Sequence, residues 1–271
     1  MTDVPTLLTI FAAGSLAGFV AGFFGVGGGI VLVPILLYYY SVLQVSPLVA
    51  THLAMGTSLA IVLATSLFSA ARHHRNGHVV HRAALTIGAV SVIAAFGGSL
   101  VAGGLSGRVL QQIFSAVLVL AAIRLLVNRR ETGQKGEMRL ELPPMVLTGF
   151  ITGGVSALTG VGGGVVSIPM MHSIMRFPMK KAVGTSSATI VLTAAAAAAG
   201  YLVSGLSDPE VAPYASFTVG YIDFLHSLPL LLGTLPFAVI GAGLANRVKS
   251  RLLSRLFAIF MLVVAARMFA G

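Results

Sequence analysis

"GFFGVGGGIVLVP", from Gly22 to Pro34, and "SALTGVGGGVVSIP", from Ser156 to Pro169, carry the same five residues, GVGGG, each time inside an apolar run and each time ending five residues before a proline. A glycine inside a helix costs about 1 kcal/mol against alanine. Four of them in five residues mark a place where the backbone leaves the regular helix. The rest of the chain makes that departure consequential, because it leaves little water-facing surface.

Of the 271 residues, 56% are hydrophobic and only 9% are charged, against about a quarter charged in an ordinary soluble domain. Apolar runs such as Leu85–Leu105, Leu110–Val127 and Leu228–Ala245 reach the roughly 18–20 residues that cross a bilayer. The alternating pattern of a membrane β-barrel is missing, so the fold class is an all-α polytopic membrane protein. The start, MTDVPTLLTI, lacks the basic beginning of a secretory signal and reads as the first membrane segment. With no cysteine, disulfides, iron–sulfur clusters and thiolate metal sites are excluded. The net charge of +10 fits cytoplasmic loops facing anionic lipid, not a nucleic-acid surface.

The two GVGGG segments start at Gly25 and Gly160, an offset of 135 (160 − 25), and Pro34 and Pro169 keep it. "MGTSLAIV" (Met55–Val62) matches "VGTSSATI" (Val183–Ile190), and "GRVLQQIFSAVLVLAAIR" (Gly107–Arg124) resembles the stretch from Asn246 to Arg267. Landmarks in the same order indicate an internal duplication: residues 1–128 as a first repeat, 129–142 as a cytoplasmic linker and 143–271 as a second repeat. Basic loops stay in the cytoplasm, and here they alternate. The Arg72–Arg82 loop is basic while its counterpart Gly205–Phe217 has no Lys or Arg; Gln44–Pro47 is uncharged while Arg176–Lys181 carries three positives. The expected architecture is two inverted-topology repeats of about five membrane segments each, with both termini periplasmic. Ile30–Leu43 and Val165–Met175 are too short for upright spans, so the glycines join either tilted crossings or re-entrant hairpins. The fourth segment of the second repeat is expected over Thr218–Ala245.

Short, glycine-interrupted helices at matching positions of inverted repeats point to the binding site of a secondary transporter. A helix broken inside the membrane frees N–H groups that lipid cannot satisfy. At the start of the next half-helix these donors and the positive dipole end favour an anion, and glycine lets it approach the backbone. The candidate substrate-binding residues are therefore Gly25, Gly27, Gly28 and Gly29 with Gly160, Gly162, Gly163 and Gly164. The hydroxyls of Thr57, Ser58, Thr185 and Ser186, in the repeated GTS, join them as uncharged ligands. Pro34 and Pro169 are expected about one turn into their half-helices, where a missing N–H costs little. Close packing is the competing explanation of glycine in membrane helices, and it suffices for Gly14, Gly18, Gly149 and Gly153.

Ionisable groups within spans are costly and point to function: His52, His172, Asp223 and His226 qualify, and His52 and His172 join the candidate substrate-binding residues, with a hydrogen-bonded histidine outside the cavity as the equal alternative for each. Asp223 is the only acid able to enter a span. No zinc-helix, nucleophile-elbow or Walker sequence occurs, so neither catalysis nor a cofactor is expected. His73, His74, His78 and His81, interleaved with arginines, read as a topogenic loop rather than a metal site.

"GFFGVGGGIVLVPILL" with "AMGTSLA", repeated as "ALTGVGGGVVSIPMM" with "AVGTSSA", resembles the sulfite exporter TauE/SafE family, also called the toluene sulfonate uptake permease family, over nearly the whole chain. The resemblance implies a bacterial inner-membrane transporter for sulfur-containing anions such as sulfite, organosulfonates or sulfoacetate. The spacing itself argues only for a small anionic substrate, and an anion channel on the same scaffold is the alternative. Oligomeric state is not legible in the sequence.

Overall fold

The computed structural model describes residues 4–24, 28–127, 138–245 and 250–270. Its helices are α1 (Val4–Phe24), α2 (Gly29–Val42), α3 (Pro47–Arg75), α4 (His81–Gly103), α5 (Gly107–Val127), α6 (Leu142–Thr159), α7 (Gly164–Ser173), α8 (Met179–Leu206), α9 (Phe224–Ala245) and α10 (Ser250–Ala270). Among the described residues, six helices are long and apolar enough to cross a membrane: α3, α4, α5, α6, α8 and α9. At about 1.5 Å per residue, the 14 residues of α2 and the 10 of α7 fall well short of a bilayer's hydrocarbon thickness.

Local chemistry sets several ends. Ser46 Oγ accepts the Leu48 N–H at 3.3 Å and Pro47 opens α3, a serine cap followed by a proline whose missing N–H is harmless there. The glycine clusters end or start the broken helices. Two expectations need correcting. Pro34 and Pro169 are each the sixth residue of their helix, beyond the first turn, so the carbonyls of Ile30 and Val165 lose their usual donor four residues on. The fourth segment of the second half begins at Phe224 rather than Thr218. Residues 209–214 form a 3₁₀ turn, and Thr218–Val219 (β1) pairs antiparallel with Ile222–Asp223 (β2) around Gly220 at φ +55°.

The helices pack in pairs: α1 along α9, α6 along α4, α3 beside α8 and α5 beside α10, with α2 on α3 and α7 on α8. Small residues permit it. A Cβ at Gly18 would lie 2.2 Å from the Thr234 carbonyl oxygen on α9, and one at Gly153 would lie 2.5 Å from that of Ser91 on α4. Thr234 Oγ1 also lies 3.2 Å from the Gly14 carbonyl, and Ser91 and Thr193 share a 2.6 Å hydroxyl contact between α4 and α8. The core lies on α2, α3 and α8, with Leu32, Leu36, Leu53, Met55, Leu59 and Tyr201 fully buried. Leu85, Ile93, Leu120, Phe150, Leu232 and Val263 are exposed around the perimeter, an apolar belt that suits lipid.

The two ends of α3 belong to different ends of the bundle. By its start, the Ser46 N–H donates to Tyr214 Oη at 2.8 Å, joining the α2–α3 turn to the α8–α9 connection. Beyond its other end, the Val80 N–H donates to Thr185 Oγ1 at 3.0 Å, joining the α3–α4 turn to the start of α8.

Candidate functional site

The second glycine cluster breaks the chain outright. Gly160 closes α6 at φ +68°, its N–H bonded to the Ser156 carbonyl at 2.9 Å, a left-handed cap that only glycine takes readily. Gly162 and Gly163 follow at φ +84° and +82°, and Gly163 then caps α7 by accepting from the N–H groups of Val166 and Ser167. In the first cluster, Gly28 plays the part of Gly163: it stands at φ +85° and accepts from Val31 and Leu32 at 2.9 and 3.0 Å. The candidates Gly25 and Gly27 lie outside the described residues.

The two breaks touch. A Cβ at Gly29 would come 2.5 Å from the Val161 Cα and 2.9 Å from the Gly160 carbonyl oxygen. Gly160 abuts Met55 on α3, Gly162 abuts Val62 on α3 and Ile190 on α8, and Gly163 abuts Thr152 on α6. Four helices thus hold the second break in the middle of the bundle. Beside it, the space among Phe114, Leu118, Val161, Gly163 and Val165 is too narrow for a water molecule.

The amides here are left open. Among the described residues, the N–H groups of Val161, Gly162, Gly163, Gly164 and Val165 meet no acceptor, and all but Val165 are buried residues. Two fully buried hydroxyls join them: Thr152 Oγ1 and Ser156 Oγ, one turn apart on α6, have no hydrogen-bond partner. A buried donor without a partner costs about 1–3 kcal/mol, a penalty that a bound anion relieves.

The GTS hydroxyls have definite partners. Thr57 Oγ1 accepts the Asp223 N–H at 2.9 Å, and Thr185 Oγ1 accepts the Val80 N–H. Each threonine therefore holds the residue just before a helix of the opposite half, α9 or α4. The glycine one place earlier lets the same segments approach: a Cβ on Gly56 would lie 2.2 Å from the Tyr221 carbonyl oxygen, and one on Gly184 would lie 2.6 Å from that of His78. Ser58 donates to the Gly160 carbonyl at 2.9 Å, and Ser186 shares a 2.6 Å contact with Ser167 on α7. The threonines thus fasten the connections, while the serines reach the second break and the half-helix behind it.

The histidines sit elsewhere. His52 Nε2 lies 3.0 and 3.2 Å from the Leu105 and Ala102 carbonyl oxygens, and Nδ1 lies 3.2 Å from that of Leu48. Its ring stacks on Tyr221 at 4.9 Å. Tyr221 in turn donates to Asp208 Oδ2, and burial, together with that bond, raises its hydroxyl pKa. His172 Nδ1 is 2.8 Å from the Phe177 carbonyl, closing the turn between α7 and α8. Both rings are engaged with backbone at helix ends.

Three site residues escaped the sequence reading. Thr152 and Ser156 lie in "ITGGVSALTG", whose glycines suggest packing only; the signal is two hydroxyls four residues apart immediately before a break. Ser167 stands inside the second repeat motif itself, where the first has Leu32.

Apolar helices long enough to cross a bilayer make this a multi-pass membrane protein, and the comparisons with known proteins place it among membrane transporters. The chain belongs to the sulfite exporter TauE/SafE family, whose profile matches residues 10–268. It is 30% identical to a "probable membrane transporter protein" of Haemophilus influenzae, with 97% of this chain and 98% of that one covered. A protein so named from Methanocaldococcus jannaschii is 26% identical over 92% of this chain and 88% of its own. One from Xylella fastidiosa is 26% identical over 97% and 94%. No solved structure matches the chain.

Proposed function

We propose that the protein is a secondary transporter of a small sulfur-containing anion of the sulfite, organosulfonate or sulfoacetate class, in the bacterial inner membrane. The anion is held where the two glycine breaks meet, by the open amides of residues 161–165 and the hydroxyls around them. The observation that carries this reading is the run of five buried or half-buried N–H groups without acceptors among the described residues, beside two buried hydroxyls likewise without a partner. Donors without acceptors at the start of a half-helix favour negative charge. The family's description as sulfite exporters supplies the sulfur oxyanion; the geometry supplies the anion.

Movement follows from alternating access, one repeat rocking against the other. The inverted relation of the repeats is supported by reciprocity: α1 lies on α9 as α6 lies on α4, and Thr57 holds Asp223 as Thr185 holds Val80. Both termini face the periplasm in this arrangement, with the 129–142 linker in the cytoplasm.

The test is flux of radiolabelled sulfite into proteoliposomes. A carrier saturates and shows counterflow, a channel shows neither, and absence of sulfite and sulfonate flux in well-folded protein contradicts the reading.

A further inference from the structure

Among the described residues there is one ion pair, and it is buried. Asp223 is fully enclosed and His226 is 5% exposed. Asp223 Oδ2 accepts from His226 Nδ1 at 2.7 Å and from Tyr40 Oη at 3.2 Å, while Oδ1 accepts the His226 N–H at 2.9 Å. The last bond is an ordinary N-cap of α9, and asparagine caps as well as aspartate. Capping explains one carboxylate oxygen. It does not explain an imidazole and a phenol brought to the other.

The pair lies deep. The Asp223 N–H is held by Thr57, ten residues into α3 from Pro47, about 15 Å along the helix. The groups facing it are Tyr39 and Tyr40 from α2, Thr57 from α3 and Phe217 before the hairpin. The His226 ring stands edge-on to Tyr39 at 5.2 Å and to Phe217 at 5.3 Å. No lysine or arginine among the described residues pairs with the carboxylate. With Nδ1–H given to Asp223, the ring's remaining proton site is Nε2. A proton taken there from the aqueous phase changes the pair from net −1 to neutral and breaks no other bond.

The pair is also wired to both breaks. Tyr40, which donates to Asp223, is on α2, whose first residue Gly29 rests against Val161. Thr57, which holds the Asp223 N–H and contacts Tyr40 Oη at 3.2 Å, is followed by Ser58, which donates to the Gly160 carbonyl. The corresponding positions before and within α4 are Val80 and Ala83, so the chain holds a single copy.

We propose that Asp223 and His226 form a proton-binding site that couples anion movement to proton movement, one proton per cycle, with Tyr40 and Thr57 relaying its state to the breaks. The proposal rests on the anion-transport reading above. The probe is radiolabelled methanesulfonate, whose strongly acidic sulfonate stays an anion across the pH range of the assay, so that a pH response comes from the protein and not from the substrate. In proteoliposomes of the full chain, a pH gradient should raise wild-type accumulation by up to about tenfold per pH unit, the limit for one proton per anion. Asp223→Asn, which keeps the cap, and His226→Gln should retain counterflow and lose the gradient response. Tyr40→Phe should weaken that response while leaving proton uptake intact.

Asp223→Asn responding like the wild type overturns the proposal. A second readout needs no substrate. Proton binding measured potentiometrically should differ between the wild type and the double variant Asp223→Asn with His226→Gln, which removes both proton acceptors of the pair, and identical proton-binding curves also overturn the site. Wild-type protein that moves no methanesulfonate or sulfite, yet shows the titration difference, counts against the transport reading and leaves the proton site standing.

Discussion

Gly163 stands at φ +82°, and a Cβ there would come 2.4 Å from the Thr152 methyl. Left-handed backbone costs a side-chain-bearing residue about 1–2 kcal/mol, and the overlap adds to it. Gly163→Leu should therefore lower sulfite flux at least about tenfold while the protein still reaches the membrane. Gly154→Ala on the adjoining helix, where a Cβ meets nothing within 4 Å, should leave flux unchanged. Proteoliposome uptake beside a detergent melting curve checks both. Thr57 makes a different kind of contribution. Its hydroxyl is the acceptor for the Asp223 N–H, so Thr57→Val strands a buried donor at a cost of about 1–3 kcal/mol. The melting temperature should fall, with Thr57→Ser restoring most of it. Thr185→Val should fall by a similar amount through the Val80 N–H.

Among the elements, the broken helices were the most legible part of the sequence. Four glycines in five residues, twice, leave no regular helix to draw through them, and the short α2 and α7 follow. The prolines were read less well. Position six is deeper than the first turn, and α2 and α7 pass through it with a carbonyl left over, because neighbouring helices hold them in place. The hairpin before α9 was hidden because Thr218–Asp223 leads without a break into the apolar run that follows, and Gly220 at φ +55° lets the chain turn there. Duplication makes the GTS motif a candidate, but which hydroxyl holds a connection and which reaches the break depends on tertiary neighbours no local pattern encodes. The contact between α7 and α8 has a direct check in a chain without native cysteine. Ser167→Cys with Ser186→Cys, whose hydroxyl oxygens are 2.6 Å apart, should form a disulfide on mild oxidation. The cross-link should stop transport until it is reduced; failure to form it contradicts the placement of α7.

At the scale of the whole molecule, composition decided the membrane class, and order-preserving motif offsets indicated the duplication. What composition does not encode is depth. The sequence singles out Asp223 as the one acid able to enter a span, but its level beside Thr57, ten residues down α3, is set by the hairpin. The proposed opposite topology of the two halves predicts a labelling pattern. In a background without cysteine, Asn76→Cys should react with an impermeant reagent only from the cytoplasmic side and Ala212→Cys only from the periplasmic side; both reacting from one side contradicts the inverted arrangement. The central claim is that unpaired backbone amides at the second break take the substrate. It is tested most directly by solid-state NMR of ¹⁵N-glycine-labelled protein in lipid, with Gly162, Gly163 and Gly164 assigned by substitution. Saturable displacement of those three amide signals on adding sulfite, with the Gly154 signal still, is the result predicted here. Unmoved break amides in protein that transports sulfite would contradict it.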